Sequence, residues 1–289
     1  MADSVLDEAA WTVRERAYRD RVEEFLEPHL RRAQTGEAHP VWDFLFTYYS
    51  LRPRQLRIWH PGFGVTLAGD TARRYLGRSG YRRRGVGVAV TEEHLRARAG
   101  IVRFIAELLR ATARRQPQLN CFGLHEWAMV YQAATVRHEH VPLRLGAPAT
   151  DAVVESMPLR CSHFDAYRFF TAPAADRNAG TPSRVDQAGW EQPGCVHANM
   201  DLYKWCYKLG PLIESEMLLD CLELAADARA LDMRASPYDL TAHGFTPITV
   251  EEPAGRAEYV RCQRVISERA APLRQALQAR CDLLLAASG

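Results

Sequence analysis

Apolar side chains recur at three- and four-residue intervals over much of the chain, the spacing that gathers them on one face of an α-helix. In the opening segment Trp11, Tyr18, Val22, Phe25 and His29 share such a face. A second run carries Leu95, Ile101, Val102, Ile105, Leu108 and Leu109, directly after Thr91-Glu92-Glu93. A hydroxyl that can cap free amides, with acids against the positive end of the helix dipole, predicts a helix start there. Met217, Cys221, Leu224, Ala228 and Leu231 form a third stripe, beside a face bearing Glu216, Asp220, Glu223 and Asp227. Tyr259, Cys262, Ile266, Leu273 and Leu277 predict a closing helix. A kink is expected at Pro272, since proline removes an amide donor and crowds the preceding turn. Strands are few, with Gly64–Leu67 and Val86–Val90 the best runs. The pattern predicts a mainly α protein with a small β element, a single helical domain over residues 1–289.

Residues 172–193 break the periodicity and are rich in Pro, Gly, Asn, Asp and Ser, which predicts a loop of about 20 residues. Loops of that length within a compact domain commonly serve as lids or binding loops. No stretch approaches the about 18 apolar residues of a membrane span. Met1-Ala2-Asp3-Ser4-Val5-Leu6-Asp7-Glu8 lacks the basic start and apolar run of a secretory signal. Seven dispersed cysteines, an odd number, predict reduced thiols and a cytoplasmic location rather than a disulfide framework.

Composition adds little until it is divided. The 289 residues are 47% hydrophobic and 25% charged with a net charge of +2, ordinary globular values that exclude a disordered chain. Residues 51–115, however, carry a balance of +11, and residues 198–260 one of −6. Arg73, Arg74, Arg78, Arg82, Arg83 and Arg84 surround Tyr75 and Tyr81, a set able to hold phosphates and stack bases. The same residues also suit a solvated face or a surface docked on the acidic helix. Of the 37 basic residues only Lys204 and Lys208 are lysines.

Three cysteines are closely followed by a histidine: Cys121 and His125, Cys161 and His163, Cys195 and His197. Glu126, Asp165 and the Asn199/Asp201 pair lie just beyond, and His60, His138 and His140 could join them. Imidazole, thiolate and carboxylate are the usual ligands of zinc or iron, so three chain segments could meet at one ion held by His125, His163 and His197. His125-Glu126-Trp127-Ala128-Met129 lacks the second histidine of a zincin helix, and no Cys-x-x-Cys is present. The alternative is that the cysteines act as small buried hydrophobes beside satisfied histidines.

Gln192-Pro-Gly-Cys-Val-His-Ala-Asn-Met-Asp-Leu-Tyr-Lys-Trp-Cys-Tyr-Lys-Leu-Gly-Pro211 is the densest segment. Asn199 is the expected N-cap and Gly210-Pro211 the stop. Leu202, Cys206 and Leu209 would then face one way, and Asp201, Lys204 and Lys208 the other, flanked by Tyr203, Trp205 and Tyr207. Where arginine is otherwise the rule, a lysine suggests chemistry that a guanidinium cannot perform, either loss of a proton to act as base or nucleophile, or a compact point charge. Asp43 and Asp165 lie in largely apolar runs and require partners, for which Arg52 or Arg54 and Arg168 are the nearest candidates.

Five strings occur together: His39-Pro-Val-Trp-Asp-Phe-Leu-Phe-Thr-Tyr-Tyr-Ser50, Cys121-Phe-Gly-Leu-His-Glu-Trp-Ala-Met-Val-Tyr131, Arg160-Cys-Ser-His-Phe-Asp-Ala-Tyr-Arg-Phe-Phe170, His197-Ala-Asn-Met-Asp-Leu-Tyr-Lys-Trp205 and Leu231-Asp-Met-Arg-Ala-Ser-Pro-Tyr-Asp-Leu240. With these the chain resembles bacterial proteins labelled 3-methyladenine DNA glycosylase. The resemblance implies removal of an alkylated adenine from DNA. No helix–hairpin–helix pattern is present, since Lys208-Leu-Gly-Pro-Leu212 holds one glycine, so the chemistry would follow another route. On that reading Trp127, Tyr203, Trp205 and Tyr207 would stack the base, and Arg82, Arg83 and Arg84 would track phosphates. Asp201, Asp165 or Glu126 would carry the anionic role, and Lys204 or Lys208 would hold a phosphate or attack the sugar. The rival is a zinc or non-haem iron enzyme acting on a small molecule, with His125, Glu126, His163, Asp165 and His197 as ligands or their supports. A non-catalytic helical protein binding nucleic acid or a partner would need only the charge asymmetry.

Overall fold

The computed structural model describes residues 4–134 and 140–289; His138 lies outside them. The fold is mainly α with one small sheet, as the periodicity predicts. The opening helix, Glu8–Thr35, starts where the Asp7 side chain accepts from the Ala10 amide, and it buries Trp11, Tyr18, Val22 and Leu26. In the Glu92–Ala113 helix the Thr91 side chain accepts from the His94 amide, the cap expected of that hydroxyl. The acidic stripe forms the Ser215–Arg234 helix, and a single closing helix, Pro253–Ser288, runs through Pro272.

Among the described residues four strands, β1 (Ser4–Leu6), β2 (Val65–Ala68), β3 (Tyr81–Arg84) and β4 (Gly87–Val90), make the sheet in the order β1-β2-β4-β3. β1 runs parallel to β2, while β4 pairs antiparallel with both β2 and β3. β2 and β4 fall on the two predicted runs; β1 and β3 do not. The backbones approach so closely at Gly87 that a Cβ there would lie 2.1 Å from the Leu67 carbonyl oxygen. Trp11 ties the opening helix to this sheet, its indole N–H donating to the Ala68 carbonyl at 2.9 Å.

The acidic face of the Ser215–Arg234 helix is answered mainly from the two long helices beside it. Arg14 and Arg21 of the opening helix reach Glu216 at 2.9 Å and Asp220 at 3.3 Å, and Arg269 of the closing helix reaches Asp227 at 2.7 Å. Within the basic stretch, Arg74 pairs with Glu15 and Arg73 with Asp70. Asp43 is held by Arg32 and His29 rather than Arg52 or Arg54, because the opening helix packs over it.

At the centre lies the Val196–Leu209 helix, packed against the Glu92–Ala113, Ser215–Arg234 and Pro253–Ser288 helices. Twelve of its 14 residues are buried, so its polar side chains must find partners inside the protein. It begins one turn earlier than the Asn199 cap would imply. The Asn199 amide already donates to the Cys195 carbonyl, and its side chain instead donates to the Pro193 carbonyl and accepts from Arg274.

The segment 172–193 is not the structureless loop the composition suggests. It contains the short helices Ala172–Ala175 and Gln187–Trp190. Asn178 also clamps Cys161 through its amide at 2.8 Å and its carbonyl at 3.0 Å. All seven cysteines are free thiols. Among the described residues no helix is long and apolar enough to cross a membrane.

Candidate functional site

The three cysteine–histidine segments converge on the central helix. From its first turn His197 sits between the other two imidazoles, edge-on to His125 with ring centroids 4.4 Å apart and stacked on His163 at 5.4 Å. His197 thereby joins two charged clusters.

In one cluster His163 Nε2 lies 3.1 Å from Asp201 and 3.4 Å from Glu191. Lys204, one turn beyond Asp201, pairs with it and reaches Asp165 at 3.1 Å. The Tyr49 hydroxyl donates to Asp201 at 3.2 Å, and Arg184 and Arg168 close on Asp165 at 2.8 and 3.1 Å. Burial alone would lower the Lys204 pKa, but Asp201 and Asp165 more than offset it and hold the ammonium charged. Burial likewise works against the charged forms of Asp201 and Asp165, yet Lys204 leads the opposing influences and both carboxyl pKa values fall. Burial raises Glu191, only partly opposed by His163.

In the other cluster His125 Nε2 lies 2.6 Å from Asp232 Oδ1, and Arg229 bridges Asp232 at 3.2 Å and Glu126 at 3.0 Å. The guanidinium stacks over Phe44, 4.0 Å from the ring centre. Burial would lower the His125 pKa, but Asp232 outweighs it and the net direction is up. His197 is pushed well down, first by burial and then by the neighbouring His125 charge, which leaves a neutral imidazole with a free lone pair.

A cavity of about 310 Å³ opens over this network. Phe44, Tyr48, Met129 and Phe169 form its apolar walls, while Glu126, Asp165, His197 and Arg229 supply polar groups. It shares Thr47, Tyr48, Asp165 and Phe169 with a second cleft of about 520 Å³, lined further by Arg168, Arg184, Lys204, Trp205, Tyr207 and Lys208. Asp165 is the charged side chain common to both. A largely apolar hollow with a few converging polar groups is the usual form of a small-molecule or base-binding site.

Among the sequence-predicted residues, Glu126, Asp165, His197, Lys204, Lys208, Trp205 and Tyr207 line these spaces. Asp201 does not; it is 1% exposed and acts through Lys204 and His163. The two carboxylate partners of Lys204 favour its protonated form, which works against a nucleophilic role. Trp127 and Tyr203 belong to the core rather than to a stacking surface. The Trp127 indole N–H donates to the Ala235 carbonyl, and Tyr203 is packed against Tyr49 and Tyr207. Phe44, Tyr48 and Phe169 take the wall positions instead. Arg82, Arg83 and Arg84 lie on β3, and none of them lines the cavity or the cleft.

The thiol form is favoured in the three cysteines of these segments. Burial raises the pKa of Cys121, carries that of Cys161 up to about 12, and lifts that of Cys195 well above its ordinary value. His60 is bonded to the Tyr81 hydroxyl at the sheet, and His140 is exposed. Asp232, Arg229 and Glu191 were not among the predicted site residues. An Arg229–Asp232 pair three residues apart resembles an ordinary surface ion pair in sequence, and only burial sets it apart. Compared with known proteins, the chain matches no family model, no curated protein and no solved structure.

Proposed function

We propose that this protein is a DNA-base N-glycosylase that hydrolyses the bond between the sugar and an alkylated adenine, working in the cytosol. The observation that carries this reading is Asp165, an ionised carboxylate fixed by Lys204, Arg168 and Arg184 where the aromatic cavity meets the cationic cleft. An alkylated adenine carries positive charge, so it departs with the electrons of the C1′–N bond and becomes neutral without needing a general acid. The flipped base would lie between Phe44, Tyr48 and Phe169, with Glu126 offering negative charge to it. Asp165 would face the sugar, stabilise its developing cation, and accept a proton from the water whose oxygen bonds to C1′. Lys208, Arg168 and Arg184 would hold the flanking phosphates, with Trp205 and Tyr207 beside them.

The test is release of free base from methylated duplex DNA, followed by chromatography. Wild-type protein should release 3-methyladenine, and Asp165→Asn should slow release by about 100-fold or more. Absence of release by the wild type, under conditions where a control glycosylase works, would overturn the reading.

A further inference from the structure

The Asp165 chemistry draws on Glu126 of the second cluster but makes no use of its His125, His197 or Asp232. Each of these three presents one ligand atom, and these atoms lie within 4.8 Å of one another. We propose that His125, His197 and Asp232 bind one first-row divalent ion, zinc or ferrous iron, with a coordination position open to the cavity. This inference is independent of base release.

Two imidazoles and a carboxylate are the donor set that holds such ions while leaving room for a further ligand. His125 Nε2 is 2.6 Å from Asp232 Oδ1, and His197 Nε2 is 3.8 Å from Asp232 Oδ2. Ligands on one tetrahedral ion with bonds of about 2.0 Å stand roughly 3.3 Å apart, and the three ligand atoms already lie within 4.8 Å of one another, so modest side-chain shifts would seat it. The ion would displace the Nε2 proton of His125 to solvent and replace the hydrogen bond that now joins His125 to Asp232.

The surroundings are those of a supported site. Arg229 bonds Asp232 Oδ2 and so fixes the carboxylate, and Glu126 in turn holds Arg229. Asp232, Glu126 and Arg229 together carry one net negative charge, which favours a dication at this position. Of the three proposed ligands, His197 lines the cavity, which puts the open position on that side.

A second trio, His163, Glu191 and Asp201, also meets at ligand spacing. It is excluded by what already occupies it. The Lys204 ammonium bonds Asp201, Gln187 donates to Glu191, and none of the three lines either space. The structure therefore assigns the ion to one trio and the lysine to the other.

The experiment uses the full chain, stripped with chelator and titrated with Co²⁺, read by visible absorption, and with Zn²⁺, read by calorimetry. One equivalent should bind, with cobalt bands of low coordination number. His197→Gln and, separately, Asp232→Asn should weaken binding beyond the about 10–100-fold cost of losing a supporting residue. His163→Gln should bind as the wild type does. Circular dichroism reports whether each variant is folded, and the wild-type titration stands regardless of them. Failure of wild-type protein to take up either ion overturns the proposal. So does binding of two equivalents, or loss of binding in His163→Gln with retention in a folded His197→Gln.

Discussion

Asp201 and Asp232 are held by parallel arrangements that end differently. Each lies on a buried helix, three residues from a cation of the same helix and opposite a histidine from a neighbouring short segment. On Asp201 the cation is a lysine, whose compact head also meets Asp165 and sits 4.4 Å from the Trp205 ring centre. On Asp232 it is an arginine, whose fork reaches both Asp232 and Glu126 while its flat face covers Phe44. A point charge with rotatable donors suits the crowded junction at Asp165, where it faces the cleft. A planar fork suits a fixed bridge between two acids. At Lys204 the choice of lysine over arginine is thus one of shape.

The largest contrast expected is in stability. Asp232→Asn leaves Arg229 with Glu126 as its one acidic partner and removes the charged partner of His125, both deep inside the protein. Removing one member of a buried charged pair costs about 3–5 kcal/mol. Asp201→Asn leaves Lys204 bonded to Asp165 near the cleft and should cost less. Urea denaturation of the two variants measures the difference, and equal losses would remove the distinction between a fixed bridge and a shared point charge.

A smaller effect appears in pH dependence and separates charge from shape at Lys204. The Asp165 pKa lies below its ordinary value against the opposing influence of burial, with Lys204 the leading cause. A carboxyl group with a depressed pKa is ionised above that value, and activity that needs it is lost as pH falls through it. Base release should therefore persist at acidities where an ordinary aspartate is half protonated. In Lys204→Met the acid limb should move to higher pH, measured as initial rates of base release across the acid range. In Lys204→Arg the limb should stay low, while overpacking costs about 1–3 kcal/mol of stability. An acid limb unmoved in Lys204→Met would show that Lys204 does not set the charge of Asp165.

The long helices were legible because each has an apolar face of period close to 3.6, and β2 and β4 because their apolar runs are unbroken. β3 was hidden by its own composition. Tyr81-Arg82-Arg83-Arg84 reads as a charged cluster, although Tyr81 is buried and Arg82 and Arg83 are exposed. At the site, the repeated Cys/His spacing drew attention to His125, His163 and His197, and these do converge. Asp232 and Arg229 were obscured because their helix carries a strong apolar stripe and an acidic face that suffices for a surface reading. Residue type could not separate Trp127 and Tyr203, which fill the core, from Phe44 and Phe169, which line the cavity. That distinction depends on which short segments cross above the central helix, and local periodicity does not encode it.

The rim of the cleft gives the smallest expected effect and tests whether its cations serve the fold or a ligand. Arg184 has a side chain 64% exposed and pairs with Asp165, which already has Lys204 and Arg168. Exposed ion pairs contribute about 0–1 kcal/mol, so Arg184→Ala should leave the urea midpoint nearly unchanged. If Arg184 meets a phosphate of bound DNA, its loss should weaken affinity similarly for all sequences. It should also reduce the slope of log affinity against log salt by roughly one. Fluorescence anisotropy at several salt concentrations reads that slope. An unchanged slope with unchanged affinity would confine Arg184 to its contact with Asp165, and would leave Lys208, the exposed lysine of the central helix, as the next cation of this cleft to substitute.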